Sequence, residues 1–172
     1  MTTAIDVAKY IADQLELYGE MHLHKLAYYA QAWSLVWTGQ PLFEDRIEAW
    51  KMGPVVPNLR FRTEFPDGLP ITPSQTAMVD AVLSHYGHLN GGELSELSHG
   101  ETPWRTTHDG TGRCSAEIQH DLMRSFYTTM VLSGGGPKAP SVTIAPADDE
   151  EILQVAAANA ERWKDALELL AR

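Results

Sequence analysis

The sequence lacks the features that define several large classes of protein. It has one cysteine, Cys114, among 172 residues. A single thiol cannot form an internal disulfide, so we expect a reducing, cytoplasmic compartment. No run approaches the roughly 20 consecutive apolar residues that a membrane-spanning helix needs. The opening MTTAIDVAKY has no basic segment leading into an apolar run, so we expect no secretory signal and no membrane contact.

Positive charge is also scarce in this sequence. Lysine and arginine together number 13, against 23 aspartates and glutamates, for a net charge of −10. Such a surface repels phosphate backbones, and we therefore predict that this chain alone does not bind nucleic acid. The same charge favours fast encounter with a basic protein partner. A hydrophobic content of 44% suits a single domain with a substantial core.

No pattern in the sequence has the spacing of a known catalytic or cofactor motif. GxSxG, P-loop, CxxC and HExxH signatures are all missing. His22 and His24 are two residues apart, which on a helix directs them to different faces and prevents joint metal binding. The segment His99–Asp109 contains two histidines and two acids at no diagnostic spacing. We therefore predict a protein that is not an enzyme and has no cofactor or metal, with a metal-dependent enzyme using His99–Asp109 as the less favoured alternative.

Aromatic residues are concentrated between residues 25 and 57. They include Tyr28, Tyr29, Trp33, Trp37 and Trp50. Aromatic density of this kind marks either a tightly specified core or a surface that another molecule covers. Helical spacing favours the core for Trp33 and Trp37, whereas Trp50 and Trp104 lie next to glycine and proline turns. The predicted partner contacts are Tyr28, Trp50, Lys51, Trp104 and Trp163.

Local start and stop signals predict a mostly α fold, a compact multi-helix domain with at most a short β element. Helix starts are predicted at Thr3, at Thr72, at Asn90 and at Ser115 from their capping side chains. A further helix covers residues 22–37, and Gly19 ends the helix before it. The segment 47–50 is a candidate strand. Pro54 is predicted to be the first residue of another helix.

The last forty residues differ in composition from the rest. Residues 133–146 are rich in glycine and proline and are predicted to be a flexible linker. Residues 147–172 then form an amphipathic C-terminal helix with Trp163 as its anchor. The predicted main domain covers residues 3–132. Docking of the last helix on that domain, on a partner or on a second copy as a homodimer is left open.

Three blocks of the sequence, in order, resemble the Panacea domain, the family that includes the SocA-like antitoxins. The first is KLAYYAQAW, the second IEAWKMGPVVP and the third YGHL followed by ELSELSHGETPW, within a match of about residues 3–130. The family motif residues are Lys25, Tyr29, Gln31, Gly53, Pro54, His99, Glu101 and Pro103.

The resemblance implies the function of an antitoxin in a bacterial or phage toxin–antitoxin system. Its partner would be a cognate toxin protein, neutralised by direct binding. Two alternatives stay open within the same family. The chain could be a proteolytic adaptor that delivers a toxin to a cellular protease, or a mobile-element protein without a toxin.

Overall fold

The computed structural model describes residues 2–60, 70–112 and 114–141. Over these residues the chain is mostly helical with one small antiparallel sheet, which confirms the predicted fold class. The elements are helices α1 Ala4–Gln14, α2 Glu20–Thr38, α3 Pro73–Tyr86, α4 Gly91–Gly100, α5 Thr102–Thr107 and α6 His120–Leu132, and strands β1 Glu48–Trp50 and β2 Gly53–Val55, with a 3-10 turn at Pro57–Leu59.

Helix α2 is the centre of the fold. Helices α1, α3, α4 and α6 all pack against it, and every side chain from His22 to Leu35 is buried. A helix that is covered on all sides has no solvated stripe, which explains why polar residues such as Lys25 and Gln31 lie inside. The predicted boundaries of 22–37 fall within the observed Glu20–Thr38.

Three of the predicted helix starts are confirmed by their capping side chains. Reciprocal capping boxes join Thr3 with Asp6, Thr72 with Gln75, and Asn90 with Glu93. In each box a side-chain oxygen accepts from a backbone N–H that the first turn leaves without an intrahelical partner. These signals are local in sequence, which is why they can be read without knowing the tertiary structure.

Other predicted boundaries are wrong, and two of the three errors involve the sheet or its neighbours. Pro54 lies in β2, not in a helix, and pairs with Ala49 of β1. Helix α6 begins at His120 because the preceding residues pair with β1, where the Ala49 N–H donates to the Ala116 carbonyl at 2.8 Å. Helix α1 already ends at Gln14, and Gly19 precedes α2 with a φ of 92°.

The described residues from 2 to 141 belong to one compact unit. In this unit the glycines after α6 continue its hydrogen bonding, since the Gly135 N–H donates to the Met130 carbonyl at 2.9 Å. Gly136 lies so close to the Trp33 ring that a Cβ could not fit, and Pro137 is buried. The predicted C-terminal helix and its anchor Trp163 lie outside the described residues. None of the helices in the described ranges is long and apolar enough to cross a bilayer.

A candidate protein-binding face on the β hairpin

The turn between β1 and β2 projects two side chains into solvent. Lys51 is exposed, and Met52 has 53% of its surface accessible. Gly53 follows with a φ of 99°, a backbone conformation that side chains other than glycine rarely adopt. The glycine therefore allows a tight turn that presents residues 51 and 52 at its tip.

Trp50 is held beside this tip by polar contacts at its edge and face. Its indole N–H donates to Glu48 Oε2 at 2.6 Å, and the Arg60 guanidinium carbon lies 4.5 Å from the ring centroid. Glu48 is itself buried and pairs with Arg46 at 2.7 Å. A cation over an indole face is favourable, so the ring has a fixed orientation while remaining partly exposed.

Trp104 joins α5 to the same hairpin. Its indole N–H donates to the Trp50 carbonyl at 2.8 Å. The rings of His99 and His108 lie on it, with centroids 4.1 and 4.6 Å away. Burial, with Lys25 nearby, lowers the pKa of His99 below its ordinary value. A neutral His99 therefore stacks on the Trp104 ring.

Two cavities flank the hairpin, with volumes of about 220 and 360 Å³. Trp50, Met52, Val55 and Arg60 line both of them, and Lys51 lines the larger. We call these five residues the hairpin face. It combines aromatic, thioether and guanidinium groups, and tryptophan and arginine are the residues most often found at the energetic centre of protein interfaces.

Buried polar side chains of α2 form hydrogen bonds with the backbone of β2 and the residue after it. Lys25 is 1% exposed and donates from Nζ to the Pro54 carbonyl at 3.2 Å. Burial lowers the pKa of this amine to about 8. His24 Nδ1 accepts from the Val56 N–H at 3.3 Å, and burial lowers the pKa of His24. These two hydrogen bonds fix the position of β2, and the hairpin face is therefore preorganised.

A buried carboxyl group connects the α4–α5 junction to the core. Glu101 Oε2 accepts from the hydroxyls of Tyr29 at 3.2 Å and Tyr127 at 2.5 Å, and the Tyr28 hydroxyl lies 3.0 Å from that of Tyr127. Its other oxygen is buried and has no hydrogen-bond partner within the part of the chain that the structure describes. Burial raises the pKa of Glu101 to about 7, opposed by the two tyrosine hydrogen bonds. The Glu101 carboxyl group of the folded chain is therefore neutral below about pH 7.

Gln31 fixes the segment that leads from α2 to the hairpin. Its Oε1 accepts from the backbone N–H groups of Leu42 and Phe43 at 2.8 and 3.1 Å, and its Nε2 donates to the Phe43 carbonyl at 2.9 Å. The same Nε2 lies 3.0 Å from His120 Nε2. Since an amide nitrogen only donates, His120 accepts through Nε2 and carries its proton on Nδ1.

Replacing Gln31 with leucine should lower the free energy of unfolding by about 2–4 kcal/mol, because three buried backbone groups would lose their partner. Urea denaturation followed by tryptophan fluorescence measures this loss. Gln40, which is exposed, is the control, and Gln40→Leu should change stability by about 0.5 kcal/mol or less. A Gln31→Leu variant as stable as the control would show that the amide network is dispensable.

The structure brings together three of the five predicted partner contacts. Trp50, Lys51 and Trp104 lie at the hairpin face or against it. Tyr28 has no exposed surface, because α2 is covered on every side, and it is a core residue and not a surface anchor. Trp163 lies outside the described residues.

The sequence prediction did not include three residues that shape this face. They are Glu48, Met52 and Arg60. The position of Met52 next to the Gly-Pro turn is a local signal from which its exposure could have been predicted. The positions of Glu48 and Arg60 depend on the strand pairing and the chain path after it.

The groups of the segment His99–Asp109 do not form one site. The Glu101 side chain lies in the core with tyrosines, whereas Asp109 is exposed and accepts from the Thr111 N–H at 2.8 Å. His99 and His108 pack on Trp104. Within the described ranges, no three histidine, cysteine or acidic side chains are grouped so that they could hold a metal ion.

The motif residues of the three sequence blocks meet in space. Lys25 contacts the hairpin at Pro54, and Tyr29 contacts Glu101. No curated protein and no solved structure matches the chain. The family model described as "Antitoxin SocA-like, Panacea domain" matches residues 23–67 and 59–105. The resemblance inferred from the sequence is therefore confirmed, because this family model matches the chain over residues 23–105.

Proposed function

We propose that this protein is an antitoxin that neutralises a cognate toxin by direct binding, without enzymatic activity of its own. The observation that carries the proposal is the match to the antitoxin-like family, which covers most of α2, the hairpin, α3, α4 and the start of α5. The matched region thus contains the hairpin face and most of the buried side chains that support it.

The hairpin face has the physical properties of a binding surface. Trp50 and Arg60 are oriented before any partner arrives, since the indole N–H bonds to Glu48 and the guanidinium lies over the ring. Preorganised anchors lose little conformational entropy on binding. Met52 adds a flexible, polarisable apolar group at the tip. An antitoxin of this kind needs no catalytic group, because occupying the active surface of the toxin is sufficient.

Co-expression with the product of the adjacent gene tests the proposal. We expect the wild-type chain to rescue growth and to co-purify with that product in a stable complex. Lys51→Glu should keep the melting temperature, because Lys51 is exposed, and should weaken rescue and complex formation at least tenfold. Lys138→Glu makes the same change in net charge at another exposed site and should leave both unchanged.

Other results distinguish the alternative functions. Rescue without a complex, together with a fall in toxin level that needs a cellular protease, would favour the proteolytic adaptor. No rescue and no complex with the neighbouring product would contradict the antitoxin proposal. A Lys51→Glu variant that fails to fold would show that Lys51 is structural and not part of a contact surface.

A further inference from the structure

We infer that the hairpin face docks an acidic, apolar-anchored segment of a protein partner, although the chain as a whole is acidic. This inference rests on the proposed function for its biological meaning, and it specifies the chemistry of the partner segment. It runs against the bulk charge, which by itself favours a basic partner.

The side chains that line the two cavities have a net charge opposite in sign to the net charge of the whole chain. Among the described residues, three cationic side chains, Lys25, Lys51 and Arg60, and one carboxylate, Glu20, line these cavities. The formal charge of these four described side chains is therefore +2, on a chain whose net charge is −10. A local field of this sign attracts carboxylates and repels basic segments, which selects among partners more strongly than the mean charge does.

The nearby carboxylate of Glu48 does not cancel this local charge. Its two oxygens bind Arg46 and the indole N–H of Trp50, and its side chain is only 4% exposed. It is thus compensated by a cation outside the hairpin face. Asp109, on the loop after α5, is exposed and accepts from the Thr111 backbone. Neither cavity is lined by Glu48 or Asp109.

The cavities also require an apolar anchor between the charges. The surface of the smaller one is mostly apolar, and Met21, Trp50, Met52 and Val55 are among the residues that line it. Volumes of about 220 and 360 Å³ lie below or at the lower end of those of small-molecule sites, and each suits one or two side chains. A segment with a leucine or aromatic residue flanked by aspartates or glutamates fits both properties.

Synthetic peptides test this chemistry without knowledge of the natural partner. The probe is a 15N-labelled full-length chain, whose Trp50 and Trp104 indole signals are followed during titration. The ligands are three twelve-residue peptides with the same leucine and phenylalanine core and with acidic, neutral or basic flanks. We expect saturable shifts of these signals with the acidic peptide at concentrations at or below about 1 mM. The neutral peptide should bind at least tenfold more weakly, and the basic peptide should not bind.

Variants assign the binding to the hairpin face. Lys51→Glu should weaken binding of the acidic peptide at least tenfold, whereas Lys51→Arg should retain this binding. The control Lys138→Glu should bind the acidic peptide as the wild type does. Each variant is checked for an unchanged spectrum of the core. The inference is overturned if no peptide gives saturable shifts up to about 1 mM, if the basic peptide binds as well as the acidic one, or if Lys51→Glu has no effect.

The outcome is separable from that of the proposed function. A complex with the neighbouring gene product that persists in the absence of acidic-peptide binding would overturn only the inference. Acidic-peptide binding by a chain that neither rescues growth nor binds that product would overturn only the antitoxin proposal.

Discussion

Replacing Gly53 with alanine should lower the free energy of unfolding by about 3 kcal/mol or more. Two effects add at this position. The φ of 99° costs about 1–2 kcal/mol for a residue with a side chain. A Cβ would also lie 2.6 Å from Lys25 Cε and 2.9 Å from Ser98 Oγ, closer than real Cβ contacts allow. Lys25 cannot move freely, because its Nζ donates to the Pro54 carbonyl.

Gly39 is the matched control for this substitution. It also has a positive φ, 72°, but a Cβ there would meet nothing within 4 Å. Gly39→Ala should therefore show the backbone cost alone, about 1–2 kcal/mol. For a domain of this size each kcal/mol corresponds to about 2–4 °C in melting temperature. Equal losses for the two variants would show that the contact with Lys25 and Ser98 does not constrain the hairpin.

Stability should fall as the pH rises from about 4.5 to above 7, through the ionisation of Glu101. Burial raises the pKa of Glu101 in the folded chain to about 7, from 4.5 in the unfolded chain. A group with a raised folded pKa contributes its full stability below the unfolded pKa, and the contribution is lost as the pH rises through the folded one. The difference of about 2.5 pH units corresponds to about 3 kcal/mol.

Glu101→Gln isolates this contribution, since glutamine stays neutral at every pH. The variant should gain stability relative to wild type by up to about 3 kcal/mol between pH 4.5 and 8, while His24 and Lys25 titrate alike in both. Urea denaturation at five pH values measures the difference. Tyr127→Phe should move the pH of this loss upward, because the Tyr127 hydrogen bond lowers the pKa of Glu101. A pH-independent difference between wild type and Glu101→Gln would contradict the assignment.

Sequence reasoning succeeded where the determining contacts are local. The capping pairs that begin α1, α3 and α4 each lie within four consecutive residues, so their chemistry is visible in the chain itself. Pro54 shows the opposite case. Proline suits the first turn of a helix as well as a strand, and only its pairing with Ala49 decides between them. That pairing depends on the whole fold.

The position of Tyr28 could not be predicted for a related reason. The spacing of apolar residues does not show how many sides of a helix its neighbours cover, and an amphipathic surface helix leaves one side in solvent. In the structure α2 is surrounded by four helices, so Tyr28 and Tyr29 are both buried although they point in different directions. Trp50 and Lys51 were expected at a surface because of the turn beside them, and the structure leaves both accessible.

Site-specific photo-crosslinking tests directly whether the hairpin face contacts the toxin. A photoreactive phenylalanine analogue is placed at Met52, which is 53% exposed, or at Leu132, which is 83% exposed at the end of α6. Both variants are co-expressed with the product of the adjacent gene and irradiated. We expect a covalent adduct from position 52 and none from position 132. An adduct from position 132 alone, or a stable complex with no adduct from position 52, would contradict this expectation.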